Sequence, residues 1–230
     1  MMNLETIAVM HTDFYTKFGL PRQSGIVPDL GGTIVFEKEY RNADALRGLE
    51  GYSHLWIIWG FSGGFSSAKD KASWSPTVRP PRLGGNRRMG VFATRSPNRP
   101  NPLGLSCVKI EAVKQTQEYG TVIRVSGIDM MNGTPIYDIK PYLPHIDAHP
   151  EALGGFASDV AGEKLKVSAD ESVLSILPED KREPLLGILR EDPRPSYQDD
   201  PERIYGFEYA GHEVKFRVSG NKLYVVEVVS

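Results

Sequence analysis

The sequence predicts a mainly β N-terminal unit followed by a small α+β unit. Three features lead there. Up to about residue 145, short runs of β-branched and aromatic residues are bounded by Gly, Pro and Asn clusters, the pattern of strands and turns. Only Asn42–Leu49 in that stretch has the spacing of a helix. Beyond residue 165, helix-like apolar segments precede a meander of alternating residues. Many strands with almost no helices suit a closed or sandwiched β core and argue against a doubly wound sheet. The chain has 230 residues, 40% of them hydrophobic, which is enough for one sizeable core and a small appendage.

The expected strands are Glu5–His11, Thr33–Phe36, His54–Phe61, Met89–Thr94, Leu105–Val113 and Thr121–Ile128. Segment 54–61 runs through Leu55, Trp56, Ile57, Ile58 and Trp59, so burial on both faces is expected. Asn42 can cap the lone helix, in which Ala45, Leu46 and Leu49 give the apolar spacing. Residues 62–75 form a Gly-, Ser- and Lys-rich loop, and residues 76–102 hold six of the chain's 17 prolines. Proline restricts itself and its predecessor, so the second segment is extended, stiff and pre-organised. The expected division is an N-terminal domain at 1–150, a linker at 151–164 and a C-terminal domain at 165–230. In the last, Ser168–Glu191 reads as a helical hairpin. Tyr205, Phe207 and Tyr209, then Val214, Phe216 and Val218, alternate as strands, and Ser219–Asn221 turns into Leu223–Val229.

Composition excludes several classes. No apolar run approaches the roughly 18 residues of a membrane helix, so no membrane partner is expected. The opening MMNLETIAVMHTDF lacks the basic start and apolar core of a signal peptide. A single cysteine, Cys107, rules out an internal disulfide framework and fits a reducing cytoplasm. The net charge of −2 conceals a lopsided distribution: residues 71–110 hold eight basic side chains and no acidic one, against a net −10 elsewhere. Six of the eight are arginines, whose planar fork suits phosphate or carboxylate. This is the footprint of an anion-binding face.

Catalytic motifs are mostly absent: there is no GxGxxG after the first strand, no GxxxxGK[ST], no HExxH and no GxSxG. His145, Asp147 and His149 form an HxDxH cluster, but no second cluster completes a coordination shell, so no metal is expected. Cys107, alternating in a strand, reads as a small core hydrophobe. Two segments stand out. GVFATRSPNRPNPLGLS, residues 90–106, sets Arg95, Arg99 and Asn101 among prolines. SGIDMMNGTPIYDIKPYLP, residues 126–144, turns at Asn132-Gly133 and then presents Asp138 between Tyr137 and Ile139. A carboxylate in such an apolar stretch needs a partner, or burial raises its pKa.

ATRSPNRPNPLGLS and DMMNGTPIYDIKPYLP, with LPRQSGIV, GLEGYSHLWIIW and PTVRPPRLGGNRRMGVF, closely resemble the TsaA-like, or TrmO, family of S-adenosylmethionine-dependent tRNA (adenine-N6)-methyltransferases. The resemblance is dense over residues 1–145 and resumes in EDPRPSY and the terminal meander. It implies a single-sheeted β-barrel, a homodimer with the methyl donor near the subunit seam, and methylation of N6 of threonylcarbamoyladenosine beside the anticodon of threonine tRNA. The donor residues it implies are Pro21, Arg22, Gln23, Ser62, Gly63, Arg95, Leu105 and the run Thr134, Pro135, Ile136, Tyr137 and Asp138. The family turn usually reads Asp-Gly-Thr-Pro; Asn132 stands where the Asp would be, removing a charge. Ser62-Gly63 is smaller than its counterparts, so contact there would be through backbone.

Methyl transfer to adenine N6 needs alignment and a base within hydrogen-bond reach, since the nitrogen's lone pair is delocalised. Asp138 is the first candidate base, ahead of His54 and Tyr137. Arg79, Arg82, Arg87, Arg88 and Arg99 are left for tRNA phosphates. Arg194 and Tyr197, in the DPRPSY turn, are candidates to meet the anticodon loop, which makes the acidic tail an RNA-docking unit separable from donor binding. Two other readings share these residues: a non-catalytic tRNA-binding protein, and a small-molecule methyltransferase.

Overall fold

The computed structural model describes residues 3–61, 74–80, 87–159, 164–194 and 200–229. Six strands make the principal sheet: β1 (Ala8–His11), β2 (Gly31–Phe36), β3 (His54–Gly60), β6 (Leu103–Thr116), β7 (Gly120–Ser126) and β8 (Thr134–Pro141). Neighbours run antiparallel in the order β1-β2-β7-β6-β3-β8, and β8 pairs again with β1, so the sheet closes on itself. Closure leaves no unpaired edge. Ala8, Met10, Ile34, Leu55, Ile57, Val108, Ile123 and Ile136 fill its interior. Gly104 is required by packing: a Cβ there would lie 2.1 Å from the Trp59 ring.

Several elements differ from expectation. β3 alternates instead of being buried on both faces: Leu55, Ile57 and Trp59 point inward while His54, Trp56 and Ile58 are half-buried on the outer face. The expected helix at 42–49 is two short 3-10 turns, Ala43–Leu46 and Leu49–Gly51, separated at Gly48, which adopts φ 89°. Asn42 does cap the first, its side chain accepting from the Asp44 N–H. The strand expected at 89–94 is only β5 (Met89–Gly90), paired with β4 (Thr77–Val78), because Val91–Ala93 curls into a 3-10 turn.

The segment after the barrel holds short helices α1 (Pro144–Asp147) and α2 (Phe156–Asp159). Asp147 anchors the first. Its carboxylate accepts from Trp56 Nε1 at 3.0 Å and Leu143 N at 2.8 Å, and the Leu143 N–H leads the contacts that hold its carboxyl below the usual range. The expected helical hairpin appears as α3 (Glu171–Leu174) and α4 (Glu179–Arg190), packed on a sheet of β10 (Tyr205–Tyr209), β11 (His212–Ser219), β12 (Lys222–Val229) and the unforeseen β9 (Lys166–Ser168), parallel to β12.

One apolar cluster runs from the barrel into this C-terminal unit. The bridge is the long loop between β1 and β2. Phe14, fully buried, stacks with Phe207 at 6.5 Å between centroids and tilts against Tyr209 at 5.4 Å. Phe18 meets Phe207 edge-on at 6.2 Å. Gly19, at φ 87°, lies so close that a Cβ would be 2.5 Å from the Phe207 ring. Lys181 donates to Asp13 at 2.5 Å, and Ala210 N donates to Asp13 O at 3.3 Å. The tail therefore shares a core with this loop.

Candidate donor and tRNA site

Strand register gathers the expected donor segments at one end of the barrel. Gly60 lies opposite Leu103, Gly31 opposite Ser126, and Met10 opposite Thr134. The connections 12–30, 61–102 and 127–133 all leave from that end. Pro21 is buried, Arg22 exposed and Gln23 half-buried on the first of them. Arg95, exposed at the start of the proline-rich turn, donates from Nη1 to Gln23 Oε1, while Gln23 Nε2 donates to Arg22 O at 2.6 Å. The turn behind Arg95 is self-braced. Thr94 Oγ1 donates to Val91 O at 2.8 Å, Ser96 N donates to Thr94 Oγ1 at 3.2 Å, and Asn98 N donates to Ser96 Oγ at 3.2 Å. A guanidinium carried on a braced turn and held by a side chain of the facing loop is pre-organised for a carboxylate.

Leu105, Ile58 and Asp138 form a row across β6, β3 and β8 on the barrel's outer face. Leu105 is 57% exposed. Asp138 departs from expectation. It is not a buried carboxylate: its side chain is 44% exposed, Oδ2 lies 2.9 Å from Lys140 Nζ, and Oδ1 accepts from Ile139 N at 2.9 Å. The reason is register, which puts it beside the half-buried Ile58 instead of the inward Ile57. Thr134 and Ile136 are buried in the barrel, so only their backbone can face a ligand; Pro135 and Tyr137 are half-buried, with the Tyr137 ring over Gly60. Ser62 and Gly63 lie outside the described residues, as do Arg82 and Tyr197.

The arginines assigned to tRNA divide. Arg79, Arg87 and Arg88 are exposed. Arg99 is half-buried and donates to Thr94 O at 3.3 Å. Arg194 does not face outward: its side chain is 11% exposed, and Nε and Nη2 donate to the two oxygens of Asp192 at 2.9 Å each. It lines a cleft of about 230 Å³ with Phe18, Pro21, Arg22 and Ile188. The guanidinium expected to meet the anticodon loop is thus folded back onto a neighbouring carboxylate.

One group was missed. Asp129, buried behind the Arg95–Gln23 pair, accepts from Ser106 Oγ at 2.6 Å, and Ser106 Oγ accepts from Trp59 Nε1 at 2.9 Å. Burial pushes the Asp129 carboxyl up, opposed by the Ser106 hydroxyl, the backbone N–H of Ser24 and the charge of Arg95. The signal available in sequence was its setting between Ile128 and Met130, both of which are buried. Cys107 is half-buried and burial raises its thiol pKa, as suits a packing residue.

A closed antiparallel sheet with its long connections gathered at one end is a framework other than the doubly wound Rossmann fold. Residues 9–148 match the tRNA-methyltransferase O N-terminal domain, and residues 163–230 match the TrmO C-terminal domain. The chain belongs to the TrmO family of tRNA methyltransferases. It is 39% identical to the tRNA (adenine(37)-N6)-methyltransferase of Escherichia coli over 223 residues, 94% of this chain and 92% of that one. A Pseudomonas aeruginosa relative, 37% identical over 89% of this chain and 87% of its own length, is provisionally assigned as an S-adenosylmethionine-dependent methyltransferase. A crystal structure of TrmO superposes with a TM-score of 0.79 at 28% identity, each chain being covered in full.

Proposed function

We propose that the chain transfers a methyl group from S-adenosylmethionine to N6 of threonylcarbamoyladenosine at position 37 of threonine tRNA, in the cytoplasm and as a homodimer. The supporting observation is the hydrogen bond from Arg95 to Gln23, which joins the 12–30 and 61–102 connections at the barrel end where β6, carrying Leu105, begins. These residues fit the donor: a guanidinium for its carboxylate, and the exposed Leu105 for its apolar parts. When bound, the donor supplies an electrophilic methyl group on a sulfonium. The protein's task is then alignment, which the stiff 94–102 turn and the closed sheet favour. Asp138 is the proposed proton acceptor on grounds of access, since its partly exposed carboxylate, steadied by Lys140, lies in the same outer row as Leu105. Residues 1–150 form the catalytic domain and 165–230 the C-terminal domain in this reading. Exposed Leu103 and Leu105 give the outer face of β6 apolar area to bury against a second copy. Calorimetric titration with S-adenosylmethionine, followed by mass spectrometry of nucleosides from treated threonine tRNA, tests the proposal. No donor binding, or an unmodified N6, overturns it, and a monomer by sedimentation that methylates at full rate overturns the dimer.

A further inference from the structure

We propose that Asp129 is a positioning residue for donor binding: buried beneath the loop site, it holds the Arg22–Ser24 strip and, through it, the Gln23–Arg95 pair in a binding-competent arrangement. The proposal rests on the donor reading of this barrel end. Asp129 is an acidic side chain with 9% exposure and, among the described residues, no basic side chain bonded to it, an arrangement a core avoids unless its hydrogen bonds repay the desolvation. Those bonds converge on one structural junction. Its Oδ1 takes the Ser106 hydroxyl at 2.6 Å, and that hydroxyl oxygen takes the indole N–H of Trp59, whose ring fills the barrel over Gly104. The Ser24 backbone N–H favours the charged form of the carboxylate. Ser24 is tied to the same strand a second time, because its Oγ accepts from Cys107 N at 3.1 Å, and the next residue, Gly25, donates to Gly127 O at 2.8 Å.

Asp129 thus fixes Ser106, whose neighbour Cys107 ties Ser24, the residue directly after Gln23, to the barrel wall, and the charge of Arg95 acts on its carboxyl. With 9% exposure it is shielded from substrate, so its action on the donor passes through Gln23 and Arg95. A carboxylate can accept from both Ser106 and Ser24 and still present a negative charge toward the guanidinium. An amide of the same shape keeps one acceptor oxygen, turns the other into a donor and loses the charge.

The test uses the full chain with Asp129→Asn and Ser106→Ala. Val122→Ala, a core truncation on a strand end away from the loops, controls for general destabilisation. Three quantities are read: the S-adenosylmethionine Kd by calorimetry, tRNA affinity by filter binding, and hydrogen exchange at the Ser24 amide. Asp129→Asn is expected to raise the donor Kd about tenfold, the scale of one lost charge-assisted hydrogen bond. It should speed Ser24 exchange and leave both tRNA affinity and the rate at saturating donor near the parent's. Ser106→Ala should act in the same direction, more weakly, and Val122→Ala should not change donor Kd. Donor binding at the parent's affinity in both site variants overturns the proposal, as does an equal loss in Val122→Ala. If Asp129→Asn does not fold, Ser106→Ala alone decides. A parent protein that binds no donor overturns the donor reading itself, a different result from variants that leave a real Kd unmoved.

Discussion

Phe207→Ala separates a tail that merely docks RNA from one that shapes the donor site. Phe207 is 4% exposed and packs against Phe14, Phe18, Phe216 and the backbone of Gly19. Truncating a buried Phe removes transfer free energy and leaves a cavity, together worth about 3–5 kcal/mol. For a chain of this size that corresponds to a melting shift of roughly 6–20 °C. Much of the lost contact falls on residues 14–19, the stretch leading into Pro21 and Gln23. Downstream the loop stays tied to the barrel through Ser24 and Gly25, so it should loosen on one side instead of detaching. Apparent affinity scales with the fraction of molecules holding the docked loop, so a docked fraction near one tenth raises the donor Kd about tenfold. Differential scanning calorimetry and donor titration on the same preparation measure both effects. A lowered melting temperature with unchanged donor Kd refutes the coupling. So does a chain ended near residue 165 that folds and binds donor like the parent.

The remaining predictions concern the same end of the barrel. Arg95→Ala should weaken S-adenosylmethionine binding about tenfold by calorimetry with the melting temperature preserved, and EDTA should change nothing. Replacing both Arg87 and Arg88 with Ala should weaken tRNA binding and lower its salt slope by about one to two, while donor Kd stays put. Asp129 sets a pH dependence: its folded-state carboxyl titrates above the unfolded one, so between those values the folded state binds more protons and stability falls as pH rises. The melting temperature of Asp129→Asn relative to the parent should therefore climb across that window; a constant difference counts against the assignment.

How far the sequence could be read depended on whether local pattern or distant packing decided the outcome. Phe207 and Tyr209 alternate with polar neighbours, and the meander formed where period-two patterning put it. Ring closure was not readable from any local pattern, because β1 meets β8 across more than 120 residues. β9 was missed because Lys166–Ser168 is three residues long with a single apolar side chain, and its parallel pairing with β12 needs no turn signal. Asp129 and Asp138 show the limit most clearly. Each has apolar neighbours on both sides in sequence. Asp138 lies on the outer side of β8 and finds Lys140, whereas Asp129 is covered by a loop more than a hundred residues earlier in the chain. Flanking residues alone cannot tell which carboxylate is enclosed.

Asn132 holds the entry to the same loop. The family resemblance puts an Asp at this turn and would suggest that its loss affects a charge contact with the donor. The structure gives the side chain different work: Asn132 Oδ1 accepts from Thr12 N at 3.1 Å, and Asn132 N donates to Phe14 O at 2.7 Å. A carboxylate oxygen could accept the same Thr12 N–H, so either residue can hold the start of the loop, and the substitution leaves that bond intact. The β1–β2 loop is therefore fixed at its entry by Asn132, in its middle by Phe207, and after Gln23 by Cys107 and Gly127. Those supports come from the barrel turn, the C-terminal sheet and the barrel wall. A loop held by three separate parts of the molecule transmits a disturbance in any of them to Gln23 and Arg95, which makes donor affinity the sensitive readout for changes placed far from the donor.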